Sequence, residues 1–153
     1  MKTVKELVRC GHFNRARCSG DTYLDEVIDM MAQLEESSVL VTKTDGSVAG
    51  ILTDSDILCA VKLKGTAGSS ICREKVKDWM RSTIAFCRTS DLLTTAENLM
   101  AQHSVRHLVL QDGNRLIGSV TRHDILAKIH EQDQAELEQV KANLIESLNS
   151  QAA

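Results

Sequence analysis

A nine-residue motif occurs twice in this chain. Gly50-Ile51-Leu52-Thr53-Asp54-Ser55-Asp56-Ile57-Leu58 returns 68 residues later as Gly118-Ser119-Val120-Thr121-Arg122-His123-Asp124-Ile125-Leu126, with five of nine positions identical. The same offset carries Leu24 to Leu92, Met31 to Leu99, Leu40 to Leu108 and Val41 to Val109. Upstream, Val4-Lys5-Glu6-Leu7-Val8-Arg9 answers Val76-Lys77-Asp78-Trp79-Met80-Arg81 at an offset of 72, so the first copy holds four extra residues near positions 10–20. Periodic self-similarity of this kind outranks any local propensity as a guide to fold. A unit of about sixty residues has only a marginal core by itself, so the two copies must bury their faces against each other.

Each copy has the same order of elements. A short opening segment precedes a brief strand, near 15–18 and near 83–87. A helix follows, with Leu24, Val27, Ile28, Met31 and Leu34 at helical spacing, and Leu92, Leu93, Ala96, Leu99 and Met100 in the second copy. Val39-Leu40-Val41 and Leu108-Val109-Leu110 then read as strands, and Asp45-Gly46 and Asp112-Gly113 as the tight turns after them. The returning strand is expected to end at Gly50 or Gly118 and a second helix to start near Thr53 or Thr121. The predicted fold is α/β of the α+β kind, with two β-α-β-β-α repeats around a pseudo-two-fold. Repeat 1 covers 1–62, a Gly- and Ser-rich linker 63–74, repeat 2 75–130, and a C-terminal amphipathic helix 131–153.

Composition narrows the function. Only four of 153 residues are aromatic, too few for the rows of stacking platforms that single-stranded nucleic acids need. A net charge of −3 supplies no field to draw nucleic acid or an anionic membrane, although residues 1–20 carry a local +4 and residues 131–153 a local −4. The five cysteines (Cys10, Cys18, Cys59, Cys72 and Cys87) include no C-x-x-C pair, and neither a signal stretch nor a membrane span is read. A soluble cytoplasmic protein is expected, with no catalytic residues, no metal site, no nucleic-acid partner and no membrane.

The twice-repeated Gly-apolar-apolar-Thr-x-x-Asp-apolar, with Val105-Arg106-His107-Leu108-Val109-Leu110-Gln111-Asp112-Gly113 before its second occurrence, resembles a tandem pair of CBS (cystathionine beta-synthase type) domains, the Bateman module. The likeness covers residues 3–130; a proline usual in the family after His107 is absent, and Val109 stands near it. The resemblance implies a non-catalytic regulatory module. It would bind an adenosine-containing ligand (AMP, ADP, ATP or S-adenosylmethionine) in clefts between the repeats, with no cofactor required, and associate as a homodimer. Carried over by position, Thr53 and Asp56, and Thr121 and Asp124, would contact phosphate or ribose. Ile84, Ala85 and Phe86, with Val105, Arg106 and His107, would line the adenine site.

The chemistry of the motif agrees with this and also with a plainer role. An aspartate offers two acceptor oxygens to a vicinal diol, yet Thr-x-x-Asp is also a capping box that closes the first turn of a helix. The copies differ after the threonine. Arg122 and His123 suit phosphate, whereas Asp54 and Ser55 place a carboxylate there, so a phosphorylated ligand is expected at Thr121, Arg122 and Asp124 and not at Thr53 and Asp56. His103 and His107 are expected to fall on different elements, which disfavours a metal pair.

Beyond the repeats, Leu137, Val140, Leu144 and Leu148 form an apolar stripe on a helix expected from about Thr121 to Ser147. The stripe has three possible destinations: the same chain, with the basic segment 1–20 as a neighbour, a second chain, or a protein partner. Two other readings stay open beside the ligand sensor. One is a structural dimerisation or interaction module with no bound nucleotide, and the other a small redox or metal protein using its cysteines.

Overall fold

The computed structural model describes residues 2–65 and 71–152. The elements run α1 (Lys5–Arg9), β1 (Arg17–Ser19), α2 (Leu24–Leu34), β2 (Ser38–Thr42), β3 (Val48–Thr53) and α3 (Asp54–Lys64). After two single 3₁₀ turns (Ile71–Arg73 and Val76–Asp78) come β4 (Phe86–Arg88), α4 (Leu93–His103), β5 (His107–Asp112), β6 (Arg115–Thr121) and α5 (Arg122–Ala152). Of the expected linker, residues 66–70 lie outside the described residues.

Two three-stranded sheets result, ordered β1-β2-β3 and β4-β5-β6, each with one parallel and one antiparallel pairing. The 68-residue offset holds for the motif but not upstream of it: α2 and β2 answer α4 and β5 at 69, so Leu24 corresponds to Leu93, Met31 to Met100, Leu40 to Val109 and Val41 to Leu110. The repeat also extends to details that sequence periodicity does not reveal. α2 and α4 both end on a non-glycine residue in the left-handed region, Glu35 (φ 54°) and Ser104 (φ 52°). Gly46 (φ 85°) and Gly113 (φ 60°) sit in the two hairpin turns, where positive φ favours glycine.

The expected strand ends at Gly50 and Gly118 need correction. β3 and β6 run three residues further, to Thr53 and Thr121, and the motif glycines lie inside them. Their role is close approach. A Cβ on Gly50 would stand 2.6 Å from the Arg81 carbonyl oxygen, and one on Gly118 would run into the Asn14 carbonyl oxygen. At these two points each sheet pairs with the chain entering the other, through the bridges Ile51↔Arg81 and Asn14↔Ser119.

The two cores exchange their opening segments. Val4 and Leu7, from the start of the chain, are fully buried with Leu93, Met100, Leu108, Leu110, Val120 and Ile125 of the second half. Val76 is buried with Leu24, Val27, Val39 and Leu52 of the first. Matching backbone bonds hold them, with the Val4 amide donating to the Asp91 carbonyl (2.8 Å) and the Val76 amide to the Thr22 carbonyl (2.9 Å). A third cluster, Leu40, Ile51 and Val109 with Ile84 packed against it, joins the two sheets. Neither half buries its faces alone, as the sixty-residue argument requires.

α5 is four residues longer than the 27 expected, with 31 residues over about 46 Å. Its base is anchored by buried Lys128, whose ammonium donates to Cys10 Sγ (3.6 Å) and to Glu131 Oε2 (3.1 Å). Beyond Asp133 every described residue is exposed, including Leu137, Val140, Leu144, Ile145 and Leu148. The apolar stripe is therefore not covered by the described part of its own chain. No helix among the described residues is long and apolar enough to cross a membrane.

Candidate functional site

Both Thr-x-x-Asp motifs cap a helix. In the first, the Thr53 amide (2.9 Å) and hydroxyl (3.0 Å) donate to Asp56 Oδ2, and the Asp56 amide donates back to Thr53 Oγ1 (3.4 Å). In the second, the Thr121 amide (2.9 Å) and hydroxyl (2.7 Å) donate to Asp124 Oδ2, and the Asp124 amide returns the bond at 3.1 Å. The difference lies in the remaining carboxylate oxygen. Asp56 Oδ1 accepts from Arg81 Nε at 3.1 Å, whereas Asp124 Oδ1 has no partner among the described residues. Arg81 is 25 residues from Asp56, so no local pattern reveals the pair. The close approach at Gly50 brings it there.

Above the first motif opens a cleft of about 280 Å³. α3 contributes Asp54 and Ser55 next to Thr53, and the chain entering β4 contributes Arg81, Thr83, Ile84 and Ala85. The turn into β5 contributes Val105, Arg106 and His107. Six residues singled out in the sequence (Thr53, Ile84, Ala85, Val105, Arg106 and His107) meet here although they span both repeats. Asp56 lies beneath the cleft and not on its wall, with a side chain only 8% exposed. Phe86 is half-exposed and not part of the lining.

Thr121, Arg122 and His123 line a different cavity, of about 310 Å³, together with Ser37, Asp54, Arg106 and His107. Asp54, Arg106 and His107 thus border both spaces. Arg106 Nη2 donates to Ser55 Oγ (3.3 Å), and His107 Nε2 is hydrogen-bonded to Ser37 Oγ (3.1 Å). Burial holds the His107 imidazole below its ordinary pKa, so it stays neutral near pH 7. Arg122 Nη2 stands 3.6 Å from Glu97 Oε1.

The pseudo-symmetry identifies what replaces the aliphatic walls in the second repeat. The Leu40 amide bonds the Ala16 carbonyl as the Val109 amide bonds that of Ala85, which makes Arg15 the counterpart of Ile84. Asp54 N–H bonds Ser37 O as Arg122 N–H bonds Arg106 O, which makes Glu36 the counterpart of Val105. Arg15 and Glu36 line a third space of about 370 Å³ beside Phe13, over whose ring the Arg15 guanidinium sits at 4.7 Å. Burial and the charge of Asp124 push the Glu36 carboxyl up in pKa. Charge read from the motifs alone favours the second copy for phosphate. The assembled clefts add charges that the motifs do not show: Arg81 and Arg106 join Asp54 in the first, while in the second repeat Arg15 and Glu36 stand together and Glu36 feels the charge of Asp124.

The other candidates stand apart. His103 ends α4 and His107 opens β5. Among the described residues no three His, Cys, Asp or Glu side chains converge as a metal site. The five cysteines are free; burial pushes the Cys18 thiol up to about 11 and that of Cys87 to about 12, which leaves both poor nucleophiles.

Residues 14–63 and 76–131 each match the family model of the CBS domain. The chain is 29% identical over 110 residues to the CBS domain-containing protein YhcV of Bacillus subtilis (strain 168), covering 72% of this chain and 75% of that one. Among solved structures, the CBS domain NE2398 superposes with a TM-score of 0.74 at 25% identity, covering 84% and 98%. CBSX2 in complex with AMP gives 0.65 at 19% over 87% and 99%. The CBS domain pair of MJ0100, in complex with 5′-methylthioadenosine and S-adenosyl-L-methionine, gives 0.71 at 14% over 86% and 98%.

Proposed function

The chain belongs to the CBS-domain family as a tandem pair, a regulatory and non-catalytic module, and from that premise we propose that its first cleft senses an adenosine-containing ligand. The observation that carries this reading is the cleft itself, in which one repeat's motif faces apolar residues of the other. Ile84 and Val105 supply aliphatic walls for an adenine ring, in a protein with too few aromatics to stack it. Thr53, Ser55, Arg81 and Arg106 supply polar groups for ribose and phosphate. Two proteins of the same fold bind AMP, or 5′-methylthioadenosine and S-adenosylmethionine.

The ribose would take the Asp56 carboxylate, whose Oδ1 becomes available when the half-exposed Arg81 swings from it to the ligand. Cleft occupancy would then reach a partner through the exchanged segments that tie the two cores, in a cytoplasmic homodimer. Titration calorimetry with adenosine, AMP, ATP and S-adenosylmethionine tests the reading. It expects binding to the intact chain and at least a tenfold loss in Val105→Glu, about 1.4 kcal/mol. Absence of binding by all four compounds overturns it.

A second reading has its own support. Asp56 and Asp124 are both committed to capping boxes, and five large apolar side chains of α5 are exposed beyond the repeats. A dimerisation or interaction module with no nucleotide needs nothing more. Sedimentation of the chain with and without Leu137→Asp and Leu144→Asp shows whether the stripe joins copies.

A further inference from the structure

We propose that the cavity beside Arg122 is a phosphate-chain subsite of the first cleft, so that the ligand selected is an adenosine polyphosphate and not a monophosphate or a sulfonium nucleoside. The inference rests on the adenosine reading of the first cleft and specifies which member of that class it takes.

The two spaces adjoin, since Asp54, Arg106 and His107 line both. A nucleoside held between Ile84 and Val105 therefore has an open direction in which further groups extend, past Arg106 toward Arg122 and His123. That direction becomes progressively cationic. Arg106 has no carboxylate partner among the described residues; its side chain bonds the neutral hydroxyl of Ser55. Arg122 is half-exposed and held only by a 3.6 Å contact to half-exposed Glu97, an ion pair weak enough to be exchanged for phosphate. Guanidinium groups bind phosphate oxygens in bidentate fashion, so two of them along one channel match a chain of phosphates better than a single one. A sulfonium nucleoside would bring a positive charge to the same place and be repelled. Asp54 opposes a bare polyanion, so the magnesium complex is the expected form.

This division also accounts for the two motifs having diverged after their threonines. Arg122 and His123 serve phosphate, as their chemistry indicates, for a ligand whose adenosine lies against the other repeat.

Calorimetry on the intact chain, with magnesium throughout, uses adenosine, AMP, ATP, S-adenosylmethionine and inorganic tripolyphosphate as probes. ATP is expected to bind at least about tenfold tighter than AMP, and Arg122→Ala to bring ATP close to AMP while leaving AMP unchanged, with partial recovery in Arg122→Lys. Arg122 is exposed, so an unchanged unfolding midpoint is expected to show that the variant is folded. Equal affinities for AMP and ATP in the native chain overturn the proposal, as does an equal loss of both in Arg122→Ala or binding of S-adenosylmethionine as tight as that of ATP. If no adenosine compound binds but tripolyphosphate does, in an Arg122-dependent way, the anion subsite stands and the adenosine reading falls. If neither binds, both fall.

Discussion

The two repeats share backbone, caps and close glycine contacts, yet they build unlike clefts. On the first side the walls are Ile84 and Val105, and the motif carboxylate Asp56 is paired with Arg81. On the second the same positions hold Arg15 and Glu36, and Asp124 lies near enough to Glu36 to raise its pKa, with no cation on its outer oxygen among the described residues. An apolar group entering the second cleft must strip water from two charged walls, whereas in the first it covers aliphatic surface. Duplication preserved what the fold needs and left the wall positions free to diverge, so sequence repetition is a guide to architecture and a poor guide to site equivalence.

The largest effects should come where the halves are still alike. Gly118→Ala puts a methyl group into the backbone of Asn14, and Gly50→Ala puts one against Arg81 with the flexible Met80 side chain nearby. Each is expected to cost about 2–4 kcal/mol in urea unfolding, with Gly118→Ala the worse of the two. A loss below about 0.5 kcal/mol in both would mean the close approach is not required. The next largest effect exchanges the walls. The double variant Ile84→Arg, Val105→Glu gives the first cleft the second one's charges, and is expected to weaken adenosine binding about a hundredfold in calorimetry. Retained binding would show that the ligand lies elsewhere.

Much of the fold was legible because its signals are local or periodic: the repeated motif, the Asp-Gly turns and the helical spacing of α2. The 68-residue offset was one short for the elements before the motif, because helical and strand periodicity tolerates a shift of one when apolar residues adjoin, as Leu92-Leu93 and Leu108-Val109 do. The exchange of opening segments was not. Val4 and Val76 each read as the start of their own repeat, and only the pairing to Asp91 and Thr22 shows whose core they fill. The site was partly legible. Thr53, Val105 and His107 could be named from the motifs, but which threonine faces which wall depends on the pseudo-two-fold. Arg81 carries no sign of its role, since its partner is fixed by a contact between repeats. The charge comparison of Arg122 with Asp54 was incomplete for the same reason, because it counted neighbours along the chain and not Arg81 and Arg106 across the cleft.

A smaller difference is expected between the two capping carboxylates. Asp56→Ala removes a cap and strands Arg81, whereas Asp124→Ala removes a cap alone. Losing a cap costs about 1 kcal/mol. Because the Arg81 side chain is 60% exposed, the lost ion pair adds only a few tenths. Thermal unfolding should therefore place Asp56→Ala slightly below Asp124→Ala, and the reverse order would show that the Arg81 pair contributes nothing.

The smallest expected effect is a pH dependence centred on His107, which borders both spaces. Its folded pKa is depressed below the ordinary 6.5, first by burial and then by the charge of Arg106, against the opposing carboxylates Asp54, Asp124 and Asp56. A depressed histidine pKa means that, as pH falls below about 6.5, the unfolded chain takes the proton before the folded one does. Stability is then fully present above that value and declines toward the folded pKa, and His107→Gln should flatten this slope in urea unfolding between pH 7.5 and 5.5. Binding should respond with the opposite sign, because a phosphate chain beside the imidazole favours its charged form. Acidification that weakens the fold should thus strengthen ATP binding in the native chain and not in His107→Gln. If His107→Gln flattens the stability slope but leaves the pH dependence of ATP affinity intact, the phosphate chain does not reach His107.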